Sequence, residues 1–399
     1  MRVLFVSAYM VTIGWGQRPV EPVQVHDPPK FRTGRFESSS DSGAHSSASR
    51  AATVNSVPPA QNAIEDKLRQ AQSGQPGSFD TNLALGQFLL ETGRAADAIP
   101  FLTSARNLNA KDVPARHDLS IAYIETGKLA EAQALLTELQ KEVAGATVMH
   151  LEARWLAASG KPAPAAERFR QAAEAEPSEN HLFDWGNHML SHGAAEPAGR
   201  IFQYAVEKYP RSARLKVAQG VAHYAQGEFD KAVRALCEGV DLDPQDLRPL
   251  VFLGQMVNVS PSLDGEVQRR LEGFAKLYPA NAQAQYFYGL SLLKQGGKAE
   301  PYLQRAVKLD PAMPEPHLEL GKLYADAGQT KEAIDELLKA VRLSPNLDGA
   351  HYKLAQLYQR AGQTGPAAEH FGKYRKIRAD RSAQEEVERR QRVRLTEKQ

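Results

Sequence analysis

The chain has 399 residues, room for two or three ordinary domains or for one extended array of repeats. Its 49 Lys and Arg stand against 47 Asp and Glu, a net of +2, which excludes the bulk basic excess of a nucleic-acid binder. The 42% hydrophobic content is globular, and the lone Cys237 excludes an internal disulfide and, by itself, a metal site.

The first sixty residues fall outside the pattern that governs the rest. Arg2 precedes an uncharged, mostly apolar run from Val3 to Ile13, and Gly14-Trp15-Gly16 follows. A basic start, a short apolar core and a small-x-small tripeptide are the parts of a secretory signal peptide, and the run is too short to span a bilayer. Residues 1–16 are therefore expected to direct export to the periplasm or the outside and to be removed after Gly16, leaving no integral membrane segment in the mature chain. Without export, the chain would be cytoplasmic. Residues 17–60, rich in Ser, Pro and Gly, have too few apolar side chains to offset the entropy of ordering and read as a disordered linker. Residues 61–78 hold a predicted capping helix, with Ile64, Leu68 and Ala71 on one side of Asn62–Gln72.

From residue 79 the chain keeps time. Gly93, Gly127, Gly160, Gly193 and Gly227 fall 34, 33, 33 and 34 residues apart, and the beat resumes at Gly296, Gly328 and Gly362 after a gap of 69. Pro177, Pro210, Pro244, Pro279, Pro311 and Pro345 keep a second beat. Two punctuation marks per period of about 34 predict a stack of helical hairpins. Aligned on the glycines, residues 79–381 divide into nine units, with starts at 79, 113, 146, 179, 213, 247, 282, 314 and 348. In the eighth, Leu320, Leu323, Tyr324 and Ala327 recur at helical spacing, Gly328 turns the chain, and Pro345 stops the second helix. Gly220, Gly289 and Gly321 sit mid-helix at a cost of roughly 1 kcal/mol each, acceptable where another helix must come close.

These marks (Gly321, Tyr324, Ala333, Ala340 and Pro345 in the clearest unit) resemble the tetratricopeptide repeat family over about residues 79–381. The resemblance implies an all-α fold, a right-handed α-solenoid of about nine helix-turn-helix repeats. Several units depart from the pattern. The aromatic at the fourth position is mostly missing. Unit 6 carries Ser260–Gly265 in place of a tight turn, so its loop should protrude, and unit 7 is short near Gly296-Gly297. Residues 382–399 form a charged tail expected to continue the last helix as a solvated cap.

Signatures of catalysis are missing: no phosphate loop, no nucleophile elbow and no zinc-protease helix can be found. Asp184, His188 and His192 share a helix, but eight residues of helix span about 12 Å, too far for one ion. No cofactor and no enzymatic activity are expected. In the tetratricopeptide family the first helix of each hairpin lines the concave groove. Carried onto this chain, the resemblance places His150, Arg154, Asn187, Arg214 and Tyr224 in the middle of that groove. It places Arg248, Gln255, Asn258, Tyr286, Lys322, Tyr352 and Arg360 in the C-terminal half. Acids collect in the first two units, and basic, amide and aromatic side chains dominate from the third to the seventh. The expected partner is a protein or peptide, an extended and somewhat acidic segment, with no role for nucleic acid. Two other readings stay open at this stage: a regulatory or docking subunit of an enzyme whose catalysis lies on a partner chain, and a groove that binds the chain's own N-terminal linker.

Overall fold

Eight of the nine first helices are followed by a glycine for a conformational reason. In the computed structural model, Gly93, Gly127, Gly160, Gly193, Gly227, Gly296, Gly328 and Gly362, the eight beats of the period, all have φ between 70° and 81°. That left-handed geometry is open to glycine at little cost. At the first of them, the Gly93 N–H donates to the Leu90 carbonyl at 2.9 Å and the Arg94 N–H to the Leu89 carbonyl at 2.8 Å. This paired arrangement closes the helix and reverses the chain.

The structure describes residues 59–244, 246–257 and 265–396, in which there are nineteen helices and no strand. Two compact units divide them, with the boundary between Ala235 and Leu236. The first opens with α1 (Pro59–Gly74) and continues through the hairpins α2 (Phe79–Glu91) with α3 (Ala95–Leu108), α4 (Val113–Glu125) with α5 (Leu129–Glu142), α6 (Ala146–Ala158) with α7 (Pro162–Ala175), and α8 (Glu179–Ser191) with α9 (Ala195–Lys208). It ends with α10 (Ala213–Gln226) and the start of α11 (Phe229–Leu242), the helix that contains the boundary. The second unit holds α12 (Leu247–Met256), α13 (Gly265–Leu277), α14 (Ala282–Lys294), α15 (Glu300–Leu309), α16 (Pro314–Asp326), α17 (Thr330–Leu343), α18 (Asp348–Arg360) and α19 (Thr364–Thr396). The tail expected at 382–399 has no break from the last repeat, because α19 runs on through it to Thr396. The shortness of unit 7 falls on α15, ten residues long against fourteen for α17. Ser260–Asp264, where a protruding loop was expected, lies outside the described residues, as do the expected signal peptide and most of the linker.

The two helices of a hairpin begin differently. Six of the nine first helices are capped by side chains: Asp112 Oδ1 accepts from the Ala115 N–H at 2.7 Å, and Asn281 Oδ1 from the Ala284 N–H at 2.9 Å. Ser178 and Ser212 act likewise on His181 and Leu215. Second helices such as α3, α5, α7 and α9 start without a side-chain cap, their direction already set by the glycine turn.

The hairpins are held shut at mid-helix glycines. A Cβ on Gly321 would lie 2.5 Å from Leu337 Cγ, and one on Gly86 would lie 2.7 Å from Leu102. Gly186 stands in the same relation to Phe202, whereas Gly254 on α12 admits Phe287 of the next first helix, α14. Leu337, Leu102 and Phe202 are fully buried by this contact. The cores on either side are small and local: Leu85, Leu89, Ala98, Leu102 and Leu119 in one cluster, Ala333, Leu337, Ala340, Leu354 and Leu357 in another. Of the apolar stripe expected on the capping helix, Leu68 packs on the first cluster whereas Ile64 is half exposed. The helix is also tied down by Glu65, which accepts from Arg94 Nη1 at 2.7 Å.

The missing fourth-position aromatic has a polar substitute. Asn82, Arg116, His181, Gln285, His317 and His351, near the starts of six first helices, are all buried. Each donates to a carbonyl of the preceding repeat or its connecting loop: Asn82 to Pro76 at 2.8 Å, Arg116 to Lys111 at 3.1 Å, His181 to Glu176 at 2.7 Å. Gln285 donates to Ala275 at 2.8 Å, His317 to Pro311 at 3.3 Å and His351 to Pro345 at 3.0 Å. The inter-repeat loop leaves carbonyls unsatisfied beside the core, and a buried donor recovers what an aromatic could only cover.

Two alanine substitutions separate these roles. Gly321→Ala forces its Cβ against Leu337 and the Ala333 carbonyl and is expected to destabilise by about 1–3 kcal/mol despite better helix propensity. Gly372→Ala in α19 meets nothing within 4 Å and is expected to stabilise by up to about 1 kcal/mol. Shifts of the urea midpoint in opposite directions check the pair.

Candidate functional site: the first-helix face

Side chains projecting from successive first helices of the first unit meet each other across the repeats. Gln87 Nε2 on α2 donates to Asp118 Oδ2 on α4 at 2.8 Å. Glu125 at the end of α4 accepts from Arg154 Nη2 on α6 at 2.8 Å. Asp184 on α8 accepts from His150 Nε2 at 2.8 Å and lies 3.5 Å from Arg154 Nη1, both on α6. Arg214 Nη2 on α10 donates to Asn180 Oδ1 on α8 at 2.7 Å and lies 3.1 Å from Glu179, its guanidinium 4.3 Å above the Phe183 ring. Five first helices thus share one face, cross-linked residue by residue. The repeat period produces this directly, because equivalent positions on stacked helices become neighbours.

The electrostatics follow from this pairing. Burial pushes the Asp184 carboxyl up, but the His150 hydrogen bond and Arg154 outweigh it and hold the group far below the usual carboxylate range. Burial pushes Glu125 up, against the opposing pull of Arg154. His150 is driven down to about 4, chiefly because its covered ring cannot hydrate a charge. His188 is also driven down to about 4, by burial and by His192 beside it. His150, His181, His188 and Phe169 form a run of ring contacts 4.8–5.7 Å apart between centroids, and His192 stacks beyond at 4.2 Å from His188.

The groove residues expected from the sequence divide accordingly. Arg154 and Arg214 lie on the shared face, but both are engaged with acids and so are not free cations awaiting an acidic ligand. Asn187 is half-buried on α8. Three expected contacts are corrected by burial. His150 is 5% exposed beneath Asp184 and its ring neighbours, Tyr224 is 2% exposed with its ring against Phe229, and Tyr286 is 6% exposed. Their phenol and imidazole groups serve packing, and burial together with Glu319 and Glu315 holds the Tyr286 phenol well above its usual range.

In the second unit, Arg248 is clasped by Asp246 through Nε and Nη2 at 2.8 and 2.7 Å. Lys322 pairs with Glu319 on its own helix at 2.8 Å. Gln255 and Arg360 are exposed, and Asn258 lies outside the described residues. Tyr352 is 41% exposed and packs edge-on against Phe371, with Tyr374 5.1 Å away. Sequence counting missed the structural partners Glu179 and Asn180, and it read Asp184 only beside His188 and His192. Those two histidines turn instead to backbone, His188 Nε2 donating to the Pro162 carbonyl at 2.9 Å and His192 Nδ1 to the His188 carbonyl at 2.8 Å. Among the described residues no group of three or more ligating side chains is placed to hold a metal ion.

The depressed histidines make stability depend on pH. Their folded values lie below the ordinary 6.5, so the unfolded chain binds more protons between pH 6.5 and about 4. Stability is expected to fall as pH drops through that window, by up to about 3 kcal/mol for each of His150 and His188. A His188→Gln chain, which keeps a donor for Pro162, is expected to show a shallower decline in its urea midpoint from pH 7 to pH 4. An unchanged slope would contradict this.

Comparison with known proteins fits the helical architecture. Residues 89–154 and 183–246 match the tetratricopeptide repeat, and residues 321–362 match a TPR repeat. Residues 155–182 and 247–320 lie between these matches, and the second stretch contains the loop and the short unit where the period falters. No curated protein matches the chain. Among solved structures it is similar to the APC/C hetero-tetramer Cut9–Hcn1, at 17% identity and a TM-score of 0.46 over 79% of this chain and 56% of that one. It therefore spans little more than half of that protein's length. It is also similar to yeast Tom70, at 15% identity and a TM-score of 0.39 over 84% of this chain and 87% of that one. A third is YrrB, described as a TPR protein with an unusual peptide-binding site, at 17% identity and a TM-score of 0.30 over 47% of this chain and 97% of that one. Three separate stretches thus carry the repeat that the glycine period marks, and the chain is a tetratricopeptide repeat protein.

Proposed function

We propose that this protein is a non-catalytic interaction scaffold that binds a peptide or protein segment along its first-helix face. The observation that carries this reading is the cross-linked face itself. Gln87–Asp118, Arg154–Glu125, Arg154–Asp184 and Arg214–Asn180 tie five helices into one polar surface with side chains already ordered. A segment lying on it meets groups whose rotamers are fixed in advance, so little further entropy is lost on binding. Stacked repeats of this kind present extended surfaces rather than closed pockets. Half-buried amides such as Asn187 suit the backbone of an extended ligand, and the exposed Tyr352 offers an aromatic anchor in the second unit.

We also propose that the protein is exported and works in a cell-envelope assembly. Arg2, the apolar run to Ile13 and Gly14-Trp15-Gly16 support that reading. Among the described residues no helix is long and apolar enough to cross a membrane.

Two measurements test these readings. Affinity capture with the full chain is expected to retrieve a defined partner, and the combined Asn187→Lys and Tyr352→Ala changes are expected to reduce capture at least about tenfold with helicity unchanged. Retention of the same partners at the same yield would sink the groove reading. For export, the chain recovered from its source cells is expected to begin at Gln17, and recovery with Met1 and Arg2 in place would overturn that proposal.

A further inference from the structure

The two ends of the first-helix face differ in charge. On α2 and α4 the outward stripe carries Asp80 and Asp118, interleaved with the part-buried Leu83, Leu90 and Ile121, while Glu125 at the end of α4 is held by Arg154. The Gln87–Asp118 hydrogen bond fixes the two stripes side by side. α2 has no Lys or Arg, Arg116 of α4 is buried against Glu142, its Nη2 2.7 Å from the carboxylate, and the His117 ring lies beside Asp118, its Nδ1 3.1 Å from Oδ1. The surface is acidic and aliphatic together, so a ligand that matches it is basic and apolar together.

The chain carries such a segment. Lys30-Phe31-Arg32-Thr33-Gly34-Arg35-Phe36 holds three cations and two aromatic rings, with no acid from Pro28 to Phe36. No other stretch before Pro59 concentrates cations this way; Arg2, Arg18 and Arg50 stand alone. The 22 residues from 37 to 58 join it to α1, which packs through Leu68 on the same core as α2. Extended, those 22 residues span up to roughly 75 Å. Seven extended residues reach about 23 Å, against about 10 Å between neighbouring helix axes, enough to cross both α2 and α4.

We propose that residues 30–36 dock on the α2–α4 end of the first-helix face, so that the chain occupies part of its own groove until a partner displaces them. The inference rests on the groove reading above and names the first occupant of that groove. Lys30, Arg32 and Arg35 meet the end that carries Asp80 and Asp118, and the two Phe rings cover Leu83, Leu90 and Ile121. A segment tethered this way sees its site at an effective concentration of order 1 mM, so even a weak contact stays populated. An external ligand must pay that competition, which confines tight binding to partners that also engage the later repeats.

The test uses the full chain and a labelled peptide of residues 28–36, read by fluorescence anisotropy at low salt. One chain is unaltered and the other carries Lys30→Glu, Arg32→Glu and Arg35→Glu, changes outside every described helix. The peptide is expected to bind the altered chain at least about tenfold more tightly, because its site there is vacated. Adding Asp80→Asn and Asp118→Asn, which keep the Gln87 partner, is expected to remove that gain. Equal affinity for both chains would overturn self-occupancy while leaving the groove a peptide binder. Binding to neither would also overturn it, and the partner-capture experiment would then decide the groove reading separately.

Discussion

Close contact between the two helices of each hairpin is the constraint from which the rest follows. Where Gly321 lets Leu337 lie against the backbone of α16, the second helix has one crossing position and one rotation. The same holds at Gly86 with Leu102 and at Gly186 with Phe202. With the second helix fixed on the inner side, the opposite stripe of the first helix must face outward. The turn glycines then repeat that choice every 33 or 34 residues, so that Gln87, Asp118, Arg154, Asp184 and Arg214 arrive beside one another. The shared first-helix face is a consequence of hairpin packing multiplied by a period, and no residue in it needs to be recruited from a distant part of the chain.

Charge on that face is arranged rather than accumulated. Arg154 lies between Glu125 and Asp184, and Arg214 is held by Asn180, Glu179 and the Phe183 ring. Such pairs contribute little net stability where solvent reaches them. Their effect is to hold long side chains in one rotamer and to leave Asp80 and Asp118 as the acidic end of the face. The buried imidazoles behind the face are a separate matter. Burial keeps His150 and His188 neutral near pH 7, where one bonds Asp184 and the other the Pro162 carbonyl, and leaves the repeats sensitive to acid.

Much of the fold was legible because glycine and proline report backbone geometry directly. All eight period glycines have positive φ, and the shortness expected of unit 7 falls on the ten-residue helix α15. The groove was less legible. Position counting placed His150, Tyr224 and Tyr286 in it, yet a helix position fixes only the direction of Cβ, and neighbours from the next repeat decide what is covered. Asp184 and His181 close over His150, and Phe229 closes over Tyr224. Likewise, the absent fourth-position aromatic was visible, but its replacement by Asn82, Arg116, Gln285 or His351 became intelligible only once the loop carbonyls they satisfy had positions.

Site-specific photo-crosslinking tests the central claim most directly. A photoreactive phenylalanine analogue at Asn187 stands on the first-helix face, and one at Glu207 stands on the exposed side of α9. In cells making the full chain, the account predicts that Asn187 yields a discrete crosslinked partner and Glu207 does not. Crosslinks of equal yield from both positions, or from Glu207 alone, would contradict it.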